Sequence, residues 1–330
     1  MQQGSQGKGL WQYALERLLQ AAPLILGVLI LNFLLINLAP GDPLNALIGD
    51  FPVPEAYKEQ IRADFGLNDP THVRLVKYIG NVVQGNLGFS FYYRVPVIEL
   101  VLERLGRTLV LMFFTIVFAT IMGLLLGIMA ARKPYSLMDG FASSIAITGY
   151  AVPVFWLGQM LILLFAVNWR ILPAGGMRTT RIDYTGFALM LDMAKHMILP
   201  VLALSFRYVA LTTRLTRSTL LEILGSEHIL AARARGVTER RILWNHGLRA
   251  AALPILTVVG YNFTFIVAGS ALVETVFGWP GIGRLMYDSI FARDYPTLLG
   301  ILFVVAIAVV VVNLLTDLLY ALLDPRVRYS

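Results

Sequence analysis

Side chains able to do covalent chemistry are few in this chain and poorly spaced for it. The four histidines, His72, His196, His228 and His246, are scattered along 330 residues, and cysteine is absent. A metal centre needs such ligands at short, fixed intervals, so none is expected in this chain. None of the five lysines lies in the Gly-x4-Gly-Lys-Ser/Thr string whose backbone cradles nucleotide phosphates. There is no Gly-x-Ser-x-Gly elbow and no His-Glu-x-x-His pair. The securely apolar runs hold no carboxylate pair for acid–base work inside a bilayer. These absences predict a chain that is not an enzyme and holds no cofactor of its own.

What the sequence offers instead is arginine. From Ser226 to Pro254 it reads SEHILAARARGVTERRILWNHGLRAAALP, an Arg-rich segment between long apolar runs. Ser226 is placed to cap a helix reaching Arg235, Gly236 to stop it, and Thr238-Glu239 to start a second helix. Small Ala231, Ala232 and Ala234 let a partner's backbone come close, while Arg233 and Arg235 supply charge. A force applied to such a segment reaches the flanking helices directly. As composition alone, the same segment also suits an anionic lipid surface.

The elements that carry it are membrane helices. With 57% hydrophobic and 14% charged residues, the chain falls well below the ~25% charge of ordinary soluble domains. Uncharged runs at 18–41, 108–131, 141–169, 250–273 and 296–316 each reach the ~20 residues that span a bilayer. A sixth span, 197–213, is interrupted by Arg207, and parity requires it if the Arg-rich segment is to share a side with Arg132-Lys133. With both termini cytosolic, fourteen Lys and Arg residues fall inside and six in the short outer loops, which fits the positive-inside rule. The formal charge of +7 is therefore topological, with no nucleic-acid partner expected. The first apolar run, lacking a small-x-small cleavage site, reads as a retained helix.

The expected organisation is a cytosolic tail at 1–17, a first span at 18–39, an extracytoplasmic insertion at 40–107, five further spans within 108–325 and a tail at 326–330. The coupling segment is taken as 214–250. Within the insertion, Phe89, Phe91, Tyr92 and Tyr93 suit either an interfacial aromatic belt or a protein partner. Pro153 predicts a kink in the third span, bordering a solute path or serving packing alone. Arg207 either lines that path or snorkels to the cytosolic surface.

The order of short motifs carries a resemblance. Ala231-Ala232 followed by Gly236, with Pro254 beyond, resembles the cytoplasmic signature of binding-protein-dependent ABC importer permeases. The family's usual Glu falls at Leu230 and the Gly-to-Pro separation is long, as in the dipeptide, oligopeptide and nickel permease branch, whose Ala-Arg-Ala-Lys-Gly string matches 232–236. Pro40-Gly41-Asp42-Pro43, Gly85-Asn86-Leu87-Gly88, Thr216-Arg217-Ser218, Trp279-Pro280-Gly281-Ile282-Gly283, Arg293-Asp294-Tyr295-Pro296 and Asp324-Pro325-Arg326 follow in the same order. The chain resembles a B-type subunit of that branch.

The resemblance implies an all-α membrane protein with the six transmembrane helices of a type I importer permease, multi-pass in the cytoplasmic (inner) membrane of a prokaryote. It implies a homologous second permease, two ATPase subunits that bind the ATP and Mg, and an extracytoplasmic solute-binding protein. Coupling to the ATPase would fall on Glu227, His228, Ala231, Ala232, Arg233, Ala234, Arg235 and Gly236, and contact with the binding protein on Asp42, Trp279, Pro280 and Gly281. The implied solute is a di- or oligopeptide, with nickel-chelate or glutathione-like import as alternatives. An ion-coupled carrier or a membrane enzyme would need intramembrane carboxylates or a catalytic constellation instead.

Overall fold

The computed structural model describes residues 10–38, 44, 48, 52–64 and 67–323. Helices dominate: α1 (Leu10–Leu38), α2 (Glu55–Asp64), α3 (Thr71–Val83), then a two-residue antiparallel hairpin of β1 (Phe89–Ser90) and β2 (Val95–Pro96). After it come α4 (Val97–Arg132), α5 (Leu137–Ala151), α6 (Val154–Leu161) with a π-helical extension Ile162–Asn168, and α7 (Gly186–Leu224). The remainder is α8 (Glu227–Ala234), α9 (Glu239–Arg241), a π-helical stretch Ile242–Gly247, α10 (Leu248–Val276), α11 (Ile282–Ala292) and α12 (Tyr295–Leu323). Among the described residues five helices are long and apolar enough to cross a membrane, and α5 with α6 forms a sixth, bent candidate.

The described residues within 1–108 and 280–315 form one compact unit. Its core sets Val97, Leu100 and Val101 of α4 against Ile282, Leu285, Ile301 and Val304. Leu29 and Phe33 of α1 pack on Tyr78 and Val82 of α3. The Gly85-Asn86-Leu87-Gly88 turn ends α3 in a Schellman motif: Gly85, at φ +85°, donates to Val82 O, and Asn86 N to Asn81 O. Two neighbouring residues link the last helices. Arg293 closes α11 in the left-handed region, and buried Asp294 caps α12, accepting from Thr297 N at 3.3 Å and from the hydroxyls of Thr297 and Ser90. The aromatic cluster splits: Phe91 meets Tyr57 and Phe89 edge to face inside the insertion, while Tyr92 is exposed. Phe91 thus serves the insertion's own packing, a third role beside belt and partner grip.

The described residues within 109–279 and 316–323 form the other unit, in which α5, α6 and α10 all pack on α7. Glycines set the closest approaches. A Cβ at Gly123 or Gly127 would lie 2.5 Å or 2.6 Å from the Cβ of Thr212 or Thr216, so α4 and α7 touch through a Gly-x-x-x-Gly face. Gly149 of α5 is pressed as closely on Ala210. The outer-loop turn at 173–176 is an anchor: Gly176 N donates to Phe277 O at 2.8 Å, and a Cβ at Gly175 would collide with that carbonyl.

One sequence expectation is corrected here, and two helices run further than the apolar segments that announced them. Pro153 does not kink a continuous helix; Val152 and Pro153 are both extended and the chain turns by 108° between α5 and α6. A proline forces its predecessor out of the helical region, and here the following helix takes a new axis. The fourth span, expected at 197–213, is the middle of the 39-residue α7. Its first turns carry Asp192, Lys195 and His196, which mask helicity in a hydropathy window; Asp192 accepts from Thr179 N and Oγ1 and so ties the outer loop to the helix. The second helix of the coupling segment likewise runs on into the membrane span, because helical structure is unbroken from Glu239 to Val276.

Candidate coupling site and translocation face

α8 is a short helix whose two sides differ. Ile229 and Ala232 face inward and are buried, while Glu227, His228, Leu230, Ala231, Ala234 and Arg235 are exposed. Gly236 ends it in a Schellman motif at φ +78°, donating to Arg233 O while Val237 N reaches Ala232 O at 3.2 Å. Glycine has no Cβ to oppose that left-handed turn, which explains its place in the sequence. Ser226 stands at the N-cap position without capping. Its hydroxyl donates back to Ile223 O at 2.5 Å and lies 2.9 Å from His228 Nδ1.

Arg233 is the fastener of this hairpin. Its Nε and second terminal nitrogen donate to the two Glu239 oxygens at 2.7 and 3.2 Å, and its remaining nitrogen to Leu224 O at 3.3 Å. One side chain thereby joins the end of α7, α8 and the start of α9. Hydrogen bonding to Glu239 holds its guanidinium above the usual arginine value. The charge assigned from sequence to an outside partner is thus shared with an internal ion pair, leaving Arg235 as the freer cation of the two.

A second ion pair lies 78 residues apart in the chain. Arg217 grips Asp139 side-on, Nε to Oδ1 at 2.5 Å and a terminal nitrogen to Oδ2 at 2.8 Å, and Tyr135 N donates to the same carboxylate. Asp139 is also the third residue of α5, with Ser136 accepting from its N–H as N-cap. The Ser136-x-x-Asp139 spacing was the signal available in the sequence. Because Asp139 is buried and Arg217 only partly exposed, Arg217→Ala is expected to destabilise the fold by roughly 2–3 kcal/mol, less than a fully buried pair. A thermal midpoint unchanged in the purified variant would contradict this.

On the exposed flank of the α5–α7 crossing, Arg207 and Arg214 place their guanidiniums 5.4 and 5.5 Å from the centre of the Tyr150 ring. Ser144, Thr148 and Ser218 are exposed on the same two helices. Pro153 lies three residues beyond Tyr150, so both sequence-chosen path candidates fall near the α5–α6 break. The proposed binding-protein contacts fare differently. Asp42 lies outside the described residues, Pro280 is half-buried and Gly281 is buried. Trp279 is a correction: it is fully buried against Leu111 and Met197, its N–H bonded to Glu274 O in the turn that ends α10.

Residues 123–329 match the family described as binding-protein-dependent transport system inner membrane component, and residues 10–112 its N-terminal membrane component. The chain belongs to this family of importer permeases. It is 40% identical to the oligopeptide transport system permease protein AppB of Bacillus subtilis, covering 96% of this chain and 99% of that one. It is 38% identical to the dipeptide transport system permease protein DppB of Escherichia coli K12 (97% and 99% covered), and 38% identical to the di/tripeptide permease DppB of Pseudomonas aeruginosa (93% and 96%). A structure of the MetNI methionine ABC transporter shares the fold, with TM-score 0.55 at 18% identity, over 68% of this chain and 97% of that one. As a permease of this family, the chain is an all-α, multi-pass transport component and not the ATPase, and it works with ATPase and binding-protein partners.

Proposed function

We propose that this permease carries di- or oligopeptides through the cytoplasmic membrane of a prokaryote, beside a homologous second permease, two ATPase subunits and an extracytoplasmic binding protein. The observation carrying the proposal is the exposed face of α8, pinned through Arg233 to the ends of α7 and α9. Ala231 and Ala234 leave a low surface beside Leu230 and Arg235, suited to seating in a groove of an ATPase. ATP and Mg stay with that partner. Peptide as solute follows from the names of the relatives reported above.

In this reading, closure of the ATPases displaces α8, and the displacement passes along α7 and the helix beginning at Glu239. The ligand-free and ATP-bound assemblies then favour different arrangements of the same helices, which is all that alternating access requires. The polar strip of Tyr150, Arg207 and Arg214 faces the solute path. Arg207 stands ten residues, ~15 Å, along α7 from the Arg217–Asp139 pair, a depth at which an unpaired guanidinium facing lipid costs ~3 kcal/mol or more. The strip's exposure in the single chain fits a surface that meets water or the second permease in the assembly.

Uptake of labelled dipeptide by vesicles holding the whole importer tests this. Transport should require ATP, and Arg207→Ala should lower it about tenfold with basal ATP hydrolysis unchanged, the loss of one ~1.4 kcal/mol interaction. Uptake that persisted without ATPase subunits would overturn the importer assignment. Normal uptake by Arg207→Ala would overturn only the path, and point to a snorkelling arginine.

A further inference from the structure

Beside the root of the coupling hairpin is a cavity of about 790 Å³, within the 300–1,000 Å³ typical of small-molecule sites. Its walls come from the α4–α5 turn, the end of α7, α8 and the start of α9. Arg233 and Glu239 reach it but neutralise one another. Arg132, Lys133 and Arg240 also line it, all exposed, and no ion pair joins any of them to a carboxylate among the described residues. The same lining includes an apolar set, Leu221, Leu224, Leu243 and the half-exposed Trp244.

We propose that this cavity binds a phosphate-bearing amphiphile, the headgroup of an anionic phospholipid from the cytosolic leaflet. Three cations line it and would hold the phosphate, Arg132 and Arg240 by paired N–H groups and Lys133 as a point charge. A small soluble anion would satisfy the cations but leave the leucine wall and Trp244 wet. A phospholipid covers both, its glycerol and first methylenes lying against the leucines, and tryptophan is favoured at that level of a bilayer. Arg132 ends the second long helix and Arg240 lies in the first turn after the hairpin. A headgroup held by both therefore bridges the α4–α5 turn to the coupling hairpin, so leaflet composition would set how readily the hairpin is displaced.

The inference rests on the cytosolic sidedness proposed above, which is read separately: the chain has no cysteine, so Lys133→Cys labelled from each side reports it alone. The test uses the complete importer in nanodiscs of phosphatidylcholine with or without phosphatidylglycerol. Retained lipid is counted by native mass spectrometry, without ATP or solute. Each cation near an anionic headgroup is worth ~1 kcal/mol, about fivefold, so Arg132→Gln/Lys133→Gln/Arg240→Gln should weaken phosphatidylglycerol retention on the order of a hundredfold. Arg241→Gln, which does not line the cavity, should leave it unchanged. Should the triple variant fail to assemble, Lys133→Gln alone carries the test with a loss of about fivefold. Equal retention by wild type and variants overturns the proposal. Displacement of the lipid by inorganic phosphate would assign the site to a free anion and overturn the lipid. Loss of ATPase subunits from the variants with lipid retention intact would make these residues a protein contact, again overturning it.

Discussion

Arg233→Glu is expected to reduce ATP-driven uptake by at least about a hundredfold while the protein folds and reaches the membrane. The pair it breaks is half exposed, so its static worth is only about 1 kcal/mol or less, too little to unfold a domain. The transport loss comes from position. The same guanidinium joins Leu224, α8 and Glu239, and a glutamate there would repel Glu239 and release all three. Reversing the pair, Arg233→Glu with Glu239→Arg, restores the link between α8 and α9 but not the bond to Leu224 O, and should recover part of the uptake if the side chain is an internal fastener. If the reversed pair stays as inactive as the single variant, the positive charge at 233 is needed by an outside partner, and the fastener account fails.

The second large effect is structural. Gly127→Leu should abolish recovery of folded permease, and Gly123→Ala/Gly127→Ala should cost on the order of 3 kcal/mol or more, the sum of two overpacked sites at ~1–3 kcal/mol each. Beyond the threonine Cβ contacts, a Cβ at Gly127 would sit 2.9 Å from Thr213 O, which cannot move without displacing α7. Gly140→Ala is the internal control. That glycine is exposed on α5 with open space at its Cβ position, so alanine should be neutral or raise stability by up to ~1 kcal/mol through helix propensity. Fluorescence-detected size exclusion after a heating series would distinguish the variants, and a Gly127→Leu protein as heat-resistant as wild type would show that the crossing is not close.

The parts of this architecture that were legible in the sequence are those governed by local rules. Apolar runs located the membrane helices, and Gly236 announced a helix stop that is realised as a Schellman turn. The 108° break was not legible, because one Val-Pro pair permits both a bend and a new helix axis, and tertiary packing of α6 on α7 chooses. The pairing of Asp139 with Arg217 joins side chains too distant in sequence for any periodicity to reveal. Trp279 misled because a tryptophan in a Pro-Gly loop resembles a surface anchor; the turn ending α10 folds it back beneath Met197. The Gly-x-x-x-Gly pattern at 123–127 would ordinarily suggest dimerisation, yet it is consumed within the chain by Thr212 and Thr216.

The π-helical stretch Ile242–Gly247 sets the azimuth of the hairpin. A π turn accommodates one more residue than an α turn, so Glu239–Arg241 directly before it are rotated by about 100° relative to an uninterrupted α-helix ending in the same membrane segment. Removing a single residue there would turn Glu239 to a different compass bearing while Arg233 stays tethered to Leu224, so the clasp between them would open.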